Sequence, residues 1–246
     1  MKKKKKSLKK TPVVLLALSA GLLLASTVGS TRAALTYYSE NFSAEVTVSN
    51  IGVTLLENGK AVGHRNYVSS GAWDESTGVL FENMLEEDEK LTLGKVYDEK
   101  LSVQNSGAID NYVRVTLRKS WQDEEGKKTE LSPELIELEV LEGNGWVIDD
   151  SASTEERTVL YYTGILPAGA QTPVFTDGIS INPMVGTKVI KTVEGDVVTY
   201  EHEYDGYKFV VEADVDAVQT HNAADAIKSA WGVDVAVSAD GSLSLR

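Results

Sequence analysis

Cysteine is absent from all 246 residues. That rules out a disulfide framework, a thiolate metal site and a cysteine nucleophile. Histidine is scarce, limited to His64, His202 and His221. No His-Glu-x-x-His places two imidazoles on one helical face beside a general base. A Gly-x-Ser-x-Gly elbow and a phosphate-cradling glycine loop are missing as well. Positive charge is also lacking where a body would need it. Of 24 lysines and arginines, eight fall within residues 1–33, which hold no acid; the rest of the chain sets 16 basic against 37 acidic residues, a net charge of −21. A body this acidic repels nucleic acid and anionic membrane surfaces. Divalent cations, basic partners or simple solubility are the compatible readings. The 42% apolar content is enough for a packed core.

What is present begins with an address. Lys2 to Lys10 form a basic run, an apolar stretch follows from Pro12 to Val28, and small residues lead up to Ala33-Ala34. These are the three parts of a secretory signal, with Thr31 and Ala33 at −3 and −1 if the cut falls between Ala33 and Ala34. The alternative is an uncleaved anchor, because about 17 apolar residues approach the lower limit for a span. The expected division is a signal peptide over 1–33 and a single domain over 34–246. No second hydrophobic span appears, and the end of the chain carries no sortase-type signal, so the expected location is outside the cell.

The body reads as strands separated by turns. From Asn111 to Trp121, Val113, Val115, Leu117 and Trp121 share one parity and Tyr112, Arg114, Thr116 and Arg118 the other, the pattern of a half-buried strand. Upstream, Tyr97, Leu101 and Val103 alternate with polar residues, and Asn105-Ser106-Gly107 supplies turn chemistry between the two strands. The apolar parity slips between Val46-x-Val48 and Ile51-x-Val53-x-Leu55, which predicts a bulge or break near Ser49-Asn50. A hairpin is expected over Val197–Ala217, folded at Asp205-Gly206 as a type I′ turn. It would set Tyr204 against Tyr207, His202 against Phe209, Tyr200 against Val211, and Glu203 against Lys208. A helix should start at Asn222, present Ala223, Ile227, Ala230 and Trp231 on one face, and stop at Gly232. Val233, Val235 and Val237 then read as a last strand. Between these, Ile136–Val140, Val159–Tyr161 and Ile179–Ile181 are strand-like, and Lys60–Leu85 reads as a loop excursion. Many short strands with one short helix in the carboxy-terminal half predict a mainly β fold, a jelly-roll-like antiparallel β-sandwich.

Several of these segments resemble a known group. The lysine-rich leader ending Gly29-Ser30-Thr31-Arg32-Ala33-Ala34-Leu35, followed by Thr36-Tyr37-Tyr38-Ser39, is similar to the processing site of the TasA/camelysin proteins of Firmicutes. Lys95 through Val115, with Asn105-Ser106-Gly107 inside it, resembles that group's strand–turn–strand region. Ala217–Asn222 and Ala230-Trp231-Gly232 resemble the carboxy-terminal segment of related exported clostridial proteins. The resemblance implies removal of the leader by a SipW-type signal peptidase and a jelly-roll subunit of an extracellular biofilm fibre. In such a fibre a freed N-terminal strand inserts into the sheet of the next subunit. Here the donor would be Ala34–Val48, with Leu35, Tyr37, Phe42, Val46 and Val48 as anchors.

Chemistry is thin along the rest of the chain. Camelysin has been treated as a metalloprotease, which makes Glu201-His202-Glu203 the most suggestive triplet. In a strand its carboxylates face away from the imidazole, so the three cannot chelate one ion. His202 is expected beside Phe209, His221 near a helix start, and His64 without a local partner. Asp214-x-Asp216, Asp74-Glu75 and Glu86–Glu89 lack the ordered spacing of a calcium loop, which leaves weak calcium binding as the one cofactor reading and no catalytic residue. Trp73 and Trp146 sit among Gly, Asp and Asn and could form a glycan or partner platform, whereas Trp121 and Trp231 are expected in the core. The expected function is a non-catalytic matrix or surface protein, self-associating or bound to other matrix proteins. A monomeric glycan-binding adhesin is the alternative, and a secreted metalloprotease comes third.

Overall fold

The computed structural model describes residues 50–68, 72–194 and 197–246. The leader, the Ala33–Ala34 junction, the five strand anchors and the parity slip up to Ser49 lie outside the described residues.

The architecture is mainly β, with antiparallel sheets and, among the described residues, one α-helix. The first sheet begins with Gly52–Glu57 (β1) and Lys60–Tyr67 (β2), continues to Trp73–Ser76 (β3), and takes Leu101–Asn105 (β5) on the other side of β1. Tyr97–Asp98 (β4) belongs to a separate sheet. The Lys60–Leu85 excursion is therefore a loop connection after Ser76 but sheet over Lys60–Tyr67 and Trp73–Ser76. The signal for it is Asn58-Gly59, where φ is 49° and 78°. Both residues adopt the left-handed conformation that a two-residue type I′ hairpin needs, and Glu57 pairs with Lys60 across it. The β1–β2 register shifts between Leu55 and Leu56, where Val62 of β2 is the extra residue.

The second sheet is built on Asn111–Asp123 (β6). Gly126–Lys128 (β7) folds back on its end; Arg157–Tyr162 (β10) flanks one side and carries Trp146–Ile148 (β9) beyond it. Ile136–Val140 (β8) pairs instead with Thr176–Ile181 (β11) and, through β11, with β4 in a third sheet. Val189–Glu194 (β12) and Val197–His202 (β13) form a two-stranded ribbon, and Lys208–Gln219 (β14) lies along β6.

The expected Val197–Ala217 hairpin is corrected here. The expected β13–β14 ribbon is not made: β13 pairs with β12, while β14 runs twelve residues against β6, from Lys208 opposite Gln122 to Gln219 opposite Asn111. Phe209 thus lies opposite Trp121 rather than His202, and Glu203 meets Lys188 at 3.5 Å rather than Lys208. The long ladder puts Ala213, Val215 and Ala217 beside buried Leu117, Val115 and Val113, more apolar burial than an isolated ribbon could offer. Of the turn pair, only Gly206 has positive φ (84°), so the turn is not type I′. Tyr204 and Tyr207 nonetheless meet, their rings tilted 55° to each other with centroids 5.4 Å apart. Asn105-Ser106-Gly107 does turn the chain between β5 and β6, which belong to different sheets. Asn105 forms the corner: its side-chain amide donates to Ile109 O (2.8 Å) and Leu166 O (2.9 Å) while its carbonyl accepts from Gly107 N–H (2.9 Å).

Faces of the two large sheets meet in one core, where Val53, Leu55, Leu101 and Val103 pack with Val113, Val115, Leu117 and Leu160. Trp146 belongs to this core at 2% exposure, its indole N–H donating to Pro173 O at 2.9 Å, so it is no surface platform. β6 is also buried on its other face over the first half. There Tyr112, with Val159, Tyr161 and Val218, meets Ala223 and Ile227 of the helix Ala223–Trp231 (α1). Gly232 caps α1 at φ 75°, and Ala226 rather than Ala230 joins the packed face. The chain closes with a further hairpin, Val235–Val237 (β15) against Leu243–Leu245 (β16).

Candidate functional site

β14 is an outer strand, and among the described residues its backbone pairs with β6 alone. Among the described residues, twelve residues of strand thus present an unpaired edge about 40 Å long, a row of N–H and C=O groups able to template another strand. Beside that edge runs an open groove of about 1070 Å³. Its apolar lining comes from Val53 and Leu55 of β1, Val211 and Val215 of β14, and Leu80 and Phe81 of the connection following β3. β1 contributes its odd residues Val53 and Leu55 to the groove, and among the described residues no strand pairs with β14 on its other side.

Charge around the groove is internally matched. Arg114 binds Asp216 through Nη2 at 2.6 Å and Nε at 3.2 Å, Arg118 pairs with Asp214, and Arg65 binds Glu75 at 2.8 Å and approaches Asp216 at 3.9 Å. The two aspartates suggested by the Asp214-x-Asp216 pattern are thus committed to arginines rather than turned toward a cation. No group of three or more His, Asp or Glu among the described residues is placed to hold a metal ion. His202 and His221 are exposed and stand apart from each other along the chain, His202 on the β12–β13 ribbon.

His64 does have partners. Its Nδ1 lies 2.8 Å from Ser76 Oγ and its Nε2 3.2 Å from Asp74 Oδ2, because His64 sits opposite Ser76 in the β2–β3 register with Asp74 two residues away on the same face. These are the residue types of a charge relay. Water reaches all three, however, and Asp74 is 63% exposed. An activated serine needs its base desolvated and held by a sheltered carboxylate, so this is a solvated polar ladder. The opposite face carries Trp73, 49% exposed, edge-on to Tyr67 at 5.3 Å with the Arg65 guanidinium 4.6 Å from the Trp73 ring centre.

Sequence reasoning missed one further pair. Glu57 and Glu99 are buried, at 9% and 2% exposure. Glu57 Oε1 accepts from the Phe81 N–H at 2.7 Å, and Glu99 Oε2 accepts from Asn58 Nδ2 at 2.9 Å. Burial first, and the Glu57 charge second, push the Glu99 carboxyl up to about 7. Parity was the available clue, since Glu57 continues the inward series Val53-x-Leu55. Phe81 itself holds φ at 63°, a left-handed backbone costing about 1–2 kcal/mol for a bulky residue.

No family model, no curated protein and no solved structure matches this chain. Among the described residues, no helix is long and apolar enough to cross a membrane.

Proposed function

We propose that this chain is an exported, non-catalytic structural protein of the extracellular matrix or cell surface, a jelly-roll-type subunit that assembles by N-terminal strand donation. The observation that carries the reading is the β14 edge, unpaired among the described residues, with an apolar groove alongside it. Strand addition draws affinity from main-chain hydrogen bonds and register from alternate side chains seated in a groove. The 15 residues Ala34–Val48 are long enough to follow twelve residues of β14. Leu35, Tyr37, Phe42, Val46 and Val48 supply large apolar side chains for the groove. Removal of residues 1–33 by a signal peptidase frees this segment outside the membrane, in line with the leader's three-part pattern and the TasA/camelysin resemblance. Its partners are other copies of itself or other matrix proteins.

Deleting residues 34–43 from the mature chain tests this. A folded monomer that no longer forms filaments by electron microscopy is expected; undiminished filaments would refute strand donation.

A second reading, a glycan-binding adhesin, is favoured by the Tyr67–Trp73 pair with Arg65. An aromatic face in water suits sugar stacking. Pull-down on cell-wall polysaccharide with wild type and Trp73→Ala distinguishes it, since an adhesin loses binding in the variant.

A further inference from the structure

The connection between β3 and β4, residues 77–96, forms a strap over one end of the groove. Leu80, Phe81, Met84, Leu85 and Leu91 pack against the core around Trp121, Ile179 and Val211. At its far end Gly94 N–H donates to Ile181 O at 2.8 Å and Thr92 N–H to the Tyr97 hydroxyl at 2.9 Å. At its near end the side-chain anchor is the Phe81 N–H on Glu57. Besides this apolar packing, the strap's side-chain hydrogen bond at the groove end is made to a carboxylate that shares its buried surroundings with a second one.

We propose that Glu57 and Glu99 act as a proton-operated latch: with Glu99 protonated the strap is held closed over the groove, and deprotonation of Glu99 loosens it. Glu99 is the more deeply buried of the two and the one whose carboxyl burial pushes up, so it is the member of the pair that takes the proton, while Glu57 accepts the Phe81 N–H. The groups around the pair offer no relief from two like charges. Asp98 on β4 adds to the repulsion, and Lys100 is drawn to Asp177 of β11 at 3.5 Å. Lys60, opposite Glu57 in the β1–β2 register, is exposed. Asn58 holds Glu99 by one hydrogen bond and its own backbone N–H donates to Lys100 O at 2.8 Å, so the turn stays in place while the charges change. Relief comes from the strap, where Phe81 is held in a left-handed conformation that it leaves once its N–H is released. The effect on groove access rests on the strand-donation reading; the latch itself does not.

Hydrogen exchange of peptides covering residues 77–91 in the full mature chain, at pH 5.5 and 8.5 and corrected for intrinsic rates, tests the latch. Wild type should lose protection about tenfold or more at the higher pH. Glu99→Gln should stay protected at both. Glu57→Gln, whose amide oxygen still accepts from Phe81, should move the transition to lower pH, and it keeps the test decisive if Glu99→Gln fails to fold. Protection independent of pH in wild type, or an unchanged pH response in Glu99→Gln, would overturn the latch. Filament imaging at both pH values separates the two ideas. A pH-sensitive strap on a chain that never forms filaments supports the latch and refutes strand donation; filaments from a chain with a pH-insensitive strap do the reverse.

Discussion

Replacing Glu99 by Gln should flatten the pH dependence of folding stability. The carboxyl stands at about 7 in the folded protein against an ordinary 4.5, with burial as the first cause and the Glu57 charge as the second. At about 1.4 kcal/mol per unit, the full linkage is about 3 kcal/mol. The folded state binds the proton more tightly than the unfolded chain. Its contribution is therefore complete below about pH 4.5 and is lost as the pH rises through 7. Roughly 2.5 kcal/mol of the loss falls between pH 5 and 8. Other carboxylates titrate in both proteins, so the difference between wild type and Glu99→Gln isolates this group. Gln keeps an oxygen for the Asn58 amide, which limits packing damage. Urea unfolding at pH 5, 6, 7 and 8 measures it through the midpoints. Two stability curves that stay parallel across this range would show that Glu99 is not buried against a like charge.

Ile227 is fully buried beneath α1, and Ile227→Ala should cost about 2–5 kcal/mol in urea unfolding by loss of packing and an incompletely filled cavity. Thr176 Oγ1 accepts from Leu101 N–H at 2.9 Å and donates to Glu99 O at 2.8 Å; Thr176→Val strands both backbone groups and should cost about 1–3 kcal/mol in the same assay. Gly59→Ala meets no atom but forces alanine to φ 78°, so about 1 kcal/mol of destabilisation is expected, seen as a lower thermal midpoint.

Local patterns in the sequence translated well into local structure, and pairing between distant segments did not. The alternation around Val113, Val115 and Leu117 marks β6, and the glycine stop at Gly232 ends α1 where the apolar periodicity ends. Alternation alone says that one face is buried; only the assembled fold shows that Tyr112 is covered as well, by a helix more than a hundred residues later. Asp205-Gly206 is a genuine turn, yet the strands it joins find better partners in β6 and β12, because tertiary burial outweighs the preference of a two-residue turn. The Asn58-Gly59 hairpin obeys the same turn rule, but the polar stretch after it has the composition of a loop. Trp146 shows the converse, a residue among Gly and Asn that is covered by Phe175 and Tyr162. Of the candidate site, the proposed donor segment can be read from the sequence; the unpaired β14 edge cannot, since an edge is defined by which strands pair elsewhere.

Strand donation is tested most directly by hydrogen exchange along β14 before and after the mature chain assembles. Alternate β14 amides, those facing away from β6, should become protected on assembly while the amides bonded to β6 change little. Filaments in which those outward amides exchange as fast as in the monomer would contradict the account.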